Sequence, residues 1–223
     1  DGGSGTGLFI DDFIVYKEPF SGDGDVDPIT EQQQNRLFDV CYGSEENEID
    51  DNSLTFGDYN GATNESGLSY ITLIVMYASW SSPDWNNISQ VAGLMNYYAD
   101  NPAVKIINNL DDIGQPYSCE QWGNEYLDFG DKVPIITDDG NGYTMFNWFN
   151  TNNSFPSYVI LDHQMTIRQN GNNVNAETAI NSIDLLLNYC GDNCNHQVEG
   201  CTDANAVNYD ENANTDDGSC LYP

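Results

Sequence analysis

The chain has 223 residues, 39% of them hydrophobic and 12% aromatic, which is enough for one medium domain with a real core and small attachments. Five Lys and Arg stand against 36 Asp and Glu, a formal net charge of −31, so no cationic surface can be assembled. This excludes a nucleic-acid partner and disfavours anionic membrane surfaces.

Self-repulsion at such a charge must be offset, by bound divalent cations or by external salt. Six cysteines, Cys41, Cys119, Cys190, Cys194, Cys201 and Cys220, come with only two histidines, His163 and His196, and show no zinc-finger spacing. An even count in an acidic, Asn-rich chain points to disulfides and an oxidising compartment, hence an extracellular, secreted or cell-surface location. Sequons at Asn64, Asn87 and Asn152 are compatible with surface glycosylation. The longest mostly apolar run, Ile71 to Ala78, is one buried strand rather than a membrane span, so no membrane insertion is expected. With no initiating Met, the sequence reads as a processed or partial segment of a longer secreted protein.

Residues 1–19 open with a Gly-rich turn and continue as a strand carrying Leu8, Ile10, Phe13, Val15 and Tyr16. The phrase GLFIDDFIV resembles the last strand of secreted jelly-roll domains of the lectin-like kind. A lone strand must pair with something else. Residues 20–35 read as an acidic linker. Residues 36–192 form the main domain, of α/β class. A short strand and turn over 54–61 precede a central buried strand, Tyr70 to Ala78. A helix follows over 80–100, with Ile88, Val91, Leu94, Met95 and Tyr98 on its apolar side. A parallel strand is expected over 104–108, then an irregular stretch containing Pro116, Cys119 and Trp122, and a further strand over 133–137. A hairpin (158–162 and 165–169) and a closing amphipathic helix over 176–189 complete the domain.

Several phrases in this order resemble thioredoxin-like proteins (redoxins) across residues 36–192. Ala78-Ser79-Trp80 ends the central strand where redoxins show A-x-W, and Ser81-Ser82-Pro83-Asp84 aligns with their Cys-x-Pro-Cys motif. Ser154-Phe155-Pro156-Ser157 precedes the hairpin where the family keeps a cis-proline, and YVILDHQMTIR matches the hairpin itself. The resemblance implies a thioredoxin-like sandwich with Pro156 as the cis-proline candidate. The redox positions are degenerate. Exchange needs a thiolate at the helix N-terminus and a resolving thiol one turn on, and these positions hold Ser81 and Asp84. As a helix start the motif is ordinary: Asp84 complements the macrodipole, and Ser81 or Ser82 caps free N–H groups.

Cys119, in YSCEQW, is either a reactive cysteine or half of a structural disulfide with Cys41, and the second is favoured. Cys190 and Cys194 are spaced for a stapled helix end, and the connectivity of these four stays open. Ser81 lacks a base for hydrolysis, since neither His163 nor His196 has a triad context. Asp138-Asp139-Gly140-Asn141-Gly142 is a turn, too acidic for a phosphate loop.

Residues 193–223 form a small, loop-rich C-terminal module. Its stretch GCTDANAVNYDENANTDDGSC resembles a short module near the C-termini of secreted proteins of aquatic bacteria, a resemblance that implies location more than activity. Asp210, Asn212, Asn214 and Asp216 alternate, with Asp203 and Asp217 close by, a density of hard oxygen that suits Ca²⁺. The alternative is a loop of Asx turns without an ion. Cys201 and Cys220 bracket the loop and are expected to pair.

The expectation from sequence is therefore a non-catalytic structural or adhesive protein, not an enzyme, with a thioredoxin-like scaffold and calcium as cofactor. Its partners are copies of itself, through donation of the N-terminal strand into a filament, or other surface proteins. Two alternatives stand beside it: an extracellular redoxin-type thiol enzyme using Cys119, and part of a calcium-dependent glycan-binding protein.

Overall fold

The computed structural model describes residues 28–139, 142–196, 198–210, 213 and 215–222. The N-terminal strand over 1–19, the linker up to residue 27, and Asn212 and Asn214 of the calcium expectation lie outside the described residues.

At the centre is β3 (Ile71–Tyr77), a run of ITLIVMY buried at every position. A strand apolar on both faces needs a sheet covered on both sides. Here it pairs in parallel with β4 (Val104–Leu110) and antiparallel with β6 (Ser157–Leu161). With β1 (Phe38–Tyr42), β2 (Ser53–Leu54), β5 (Ile135–Asp138) and β7 (Ile167–Asn172), the described sheet runs β2-β1-β5-β4-β3-β6-β7.

The two-residue alternation of a strand sorts side chains into two cores. Leu73, Val75 and Tyr77 of β3, Ile106 and Leu110 of β4, Ile136 of β5 and Ile160 of β6 face one way. They pack under α2 (Ser82–Tyr97), α3 (Cys119–Tyr126) and α5 (Ala176–Cys190). Ile74, Met76, Ile107, Ile135, Val159 and Leu161 face the other way, against Phe38, Phe56, Met145 and Phe149, the last two from α4 (Thr144–Phe149). A short α1 (Glu31–Gln34) precedes β1.

Most expected elements are present with shifted ends: the helix over 80–100 is Ser82–Tyr97, and the hairpin strands are Ser157–Leu161 and Ile167–Asn172. Three parts differ more. Residues 28–35 are not a free linker: Pro28 bridges Thr166, Ile29 is buried, and Thr30 and Gln33 form a capping box at α1. The strand expected over 54–61 is only Ser53–Leu54 followed by a 3-10 turn, Phe56–Tyr59, whose Thr55–Asp58 capping box diverts the backbone from the sheet. The stretch around Cys119 is not irregular but helical, started by the Ser118–Gln121 capping box.

Candidate functional site

The junction of β3 and α2 holds the degenerate motif. Asp84 is 0% exposed, with Oδ2 accepting the Ala78 N–H at 2.5 Å and Oδ1 accepting the Ser81 hydroxyl at 2.8 Å. The expected ordinary helix start, with a carboxylate complementing the macrodipole, is instead a fully buried carboxyl. Ser81 spends its hydroxyl on Asp84 and caps no N–H group. Burial pushes the Asp84 carboxyl up to about 7, against the two hydrogen bonds that favour the anion. Around the junction lie Trp80, 58% exposed, and Phe155, whose rings meet edge to face. The Phe155–Pro156 peptide is cis. Neither Ser81 nor Asp84 can exchange a disulfide, since neither carries sulfur.

A second buried acid, Asp111, follows β4 directly and is 1% exposed, its carboxyl set between the side chains of Asn109 and Asp139. Burial, and then the neighbouring Asp139 at the end of β5, push its carboxyl up to about 8. Asp139 is itself raised by burial, although it accepts the Met145 N–H at 2.6 Å. The turn expectation for 138–142 places these acids at a loop, but only the parallel β4–β5 register brings Asp111 beside Asp139.

The sulfur lies one element away. Cys119 is the first residue of α3 and is bonded to Cys41 of β1, with Cα atoms 6.1 Å apart. Cys119 is 8% exposed, while Cys41 is exposed on the rim of a cleft of about 580 Å³. Tyr42 fixes β1 to α3: its hydroxyl donates to Asn124 Oδ1 at 2.9 Å, and its ring covers Gly123 closely enough that a Cβ there would collide with it. Behind the disulfide, Trp122 is wholly buried and packs on Trp85 and Tyr77.

The other candidates are placed as follows. Cys190 and Cys194 pair at the end of α5, and Cys201 pairs with Cys220. Among the described residues no cysteine is free. His163 packs on Tyr189, and burial lowers its pKa. His196 packs on Tyr70, with Nε2 at 2.9 Å from the Ser69 carbonyl. The Ser81 hydroxyl is given to Asp84, not to either histidine. In the tail, Asp203 accepts from the Asn205 N–H and the Tyr222 hydroxyl, Asp216 from the Gly218 N–H, and Asp217 from the Ser219 N–H. Each of these carboxylates serves its own Asx turn. Among the described residues, Asp210 included, no group of three or more acidic, His or Cys side chains converges as a metal site. Of the sequons, Asn87 is buried, with both ends of its amide bonded to Val174, and only Asn152 both is exposed and keeps clear of backbone partners.

No protein-family model matches the chain, and no curated protein is similar to it in sequence. Solved structures share its fold. A DsbF homologue from Corynebacterium diphtheriae superposes with a TM-score of 0.51 at 16% identity, covering 74% of this chain and 90% of that one. The fold is thioredoxin-like. A secreted thiol-disulfide isomerase from Corynebacterium glutamicum gives 0.50 at 14% identity, over 74% and 95% of the two chains. A thiol:disulfide interchange protein of the thioredoxin family from Chlorobium tepidum gives 0.50 at 9%, over 74% and 99%. Against these neighbours the expectation of a non-catalytic structural or adhesive protein, and of no enzyme, is corrected: the scaffold is one on which named thiol-disulfide proteins are built. The expectation rests on Ser81 and Asp84 and on a purely structural part for the Cys119 disulfide, but the loss of sulfur at one helix start says nothing about exchange at the disulfide of another. Among the described residues no helix is long and apolar enough to cross a membrane. The three disulfides are consistent with an extracellular or surface location.

Proposed function

We propose that the chain is an extracellular thiol-disulfide exchange protein of the redoxin kind, secreted or held at the cell surface. Its working disulfide is Cys41–Cys119, and Cys119 is the thiol released at the start of α3. The observation that carries this reading is the asymmetry of that bond: Cys41 is open to solvent, whereas Cys119 is nearly buried at a helix N-terminus. Exchange runs through attack on the accessible sulfur with departure of the other. An incoming thiolate attacks Cys41 Sγ, a mixed disulfide forms there, and the electron pair of the broken bond leaves on Cys119. The dipole of α3 favours that anion at the helix N-terminus. A second thiolate then attacks the mixed disulfide at the substrate sulfur and frees Cys41. Two substrate thiols are oxidised to one disulfide, and the protein disulfide is reduced to two thiols.

Ser81 and Asp84 take no part in these steps. They hold the β3–α2 corner, and Trp85 carries that corner to α3 through Trp122. The test is trapping. Cys119→Ser leaves Cys41 as a lone exposed thiol; its thiolate is expected to attack a disulfide substrate, release one substrate sulfur as a thiolate and hold the other as a mixed disulfide visible by mass. The wild type should cycle in equilibrium with a dithiol buffer. A Cys41–Cys119 bond that no dithiol reduces short of unfolding would overturn the reading.

A further inference from the structure

The surroundings of Cys41 bear on what reaches it, an inference that rests on the exchange reading above. The cleft is lined by residues 40–46 of β1 and its following turn, with Asn52 and Glu120 opposite. Three of its lining side chains are exposed carboxylates, Glu45, Glu46 and Glu120, and none of the lining residues is Lys, Arg or His. Two features tie these charges to the cleft. Tyr42, which lines it, has its hydroxyl pKa raised by burial and then by Glu46 and Glu120. Glu120 lines the same cleft as Cys41, and it directly follows Cys119 in α3. At a net charge of −31 nothing farther out reverses the sign.

We propose that the Cys41–Cys119 disulfide selects its thiol by charge. Glu45, Glu46 and Glu120 admit cysteines flanked by Lys or Arg and repel anionic thiols. The physical reason lies in the attacking species. A thiolate that also carries an ammonium arrives with no net charge. One on a neutral molecule arrives with a single negative charge, and one that also carries a carboxylate arrives with two. Each step meets the field of three carboxylates at the sulfur it must touch, and lines of one sign in a cleft change encounter rates by ~10- to 1,000-fold. The selectivity is screened once the Debye length falls below the width of the cleft, about 3 Å at 1 M salt.

The experiment uses the full chain and three small thiols: cysteamine, 2-mercaptoethanol and mercaptoacetate. Initial rates of Cys41–Cys119 reduction are corrected for the thiolate fraction and divided by the rate of the same thiol with an uncharged model disulfide. At 10 mM ionic strength the order expected is cysteamine, then 2-mercaptoethanol, then mercaptoacetate, with about 10-fold or more between the ends. At 1 M salt the spread should close to about 2-fold or less. The triple variant Glu45→Gln, Glu46→Gln, Glu120→Gln should close it at low salt. These side chains are exposed, so an unchanged melting temperature would confirm that the variant is folded, and the salt series needs no variant. Equal corrected rates at low salt, or a spread that survives both salt and the triple variant, overturn the charge selection and leave exchange intact. Failure of all three thiols, the neutral one included, overturns the exchange reading and this inference with it.

Discussion

Replacing Asp84 by Asn removes an ionisation without removing its bonds. The amide oxygen takes over the Ala78 N–H, and the amide nitrogen turns to the Ser81 oxygen, so both contacts persist with the donor and acceptor of the second exchanged. What changes is the pH dependence. In the folded chain Asp84 keeps its proton up to about 7, whereas in the unfolded chain it releases it near the ordinary 3.8. Between those values the folded state binds more protons, so wild-type stability falls as pH rises from about 4 to about 7 and is level above that. Each unit is worth ~1.4 kcal/mol, so the full window amounts to about 4 kcal/mol at this site. The substituted amide cannot ionise. The advantage of Asp84→Asn over wild type should therefore grow through this window and level off above it, reaching on the order of 10 °C in Tm for a chain of this size. Thermal melts of both proteins from pH 4 to 8.5 read this directly. The difference between the curves is the quantity to use, because Asp111 and Asp139 tilt both in the same sense. A difference that is flat with pH, or a variant less stable than wild type at pH 8, would refute the assignment of a buried, proton-holding carboxyl at the β3–α2 corner.

The remaining predictions concern other parts of the chain. Asp111→Asn should likewise stabilise, with its gain extending to about pH 8, since burial and Asp139 hold that carboxyl protonated to about 8; a loss of stability at pH 8.5 would count against it. Trp122→Ala should cost ~3–5 kcal/mol, because it empties a wholly buried indole site between Trp85 and Tyr77; urea melts with the disulfide intact measure this. Gly43→Ala should cost ~1–3 kcal/mol, since Gly43 has φ +79° and an added Cβ would run into the Pro134 carbonyl; the same urea melts would show it. Expression in a glycosylating host should place a glycan on Asn152 and none on Asn87, which peptide mapping by mass would show; an occupied Asn87 would contradict its buried double bond to Val174.

Local chemistry carried much of the fold into the sequence. A seven-residue run dominated by branched side chains permits little but a central strand, and the apolar spacing of Ile88, Val91 and Leu94 permits little but a helix laid on it. The Cys201–Cys220 closure was legible because both cysteines bound one short acidic loop with no core of its own. Two further signals were present but weak: alternation in Phe38-Asp39-Val40-Cys41 marks β1, and Ser118-x-x-Gln121 marks the start of α3. Read as irregular, the second concealed that Cys119 stands at a helix N-terminus. What no local pattern contains is adjacency across the sheet. Asp84 looks like any first-turn acid until β3 and α2 close over it, and Asp111 becomes a proton-holding neighbour of Asp139 only when β4 and β5 align in parallel. Cys41 and Cys119, 78 residues apart in sequence, meet because β1 pairs with β5 and α3 packs against β1. Sequence determined which residues prefer strand, helix or turn, since those preferences are set within a few residues. The tertiary structure alone decided which charges lost water and which sulfurs met, because desolvation and contact belong to segments that the chain brings together only on folding.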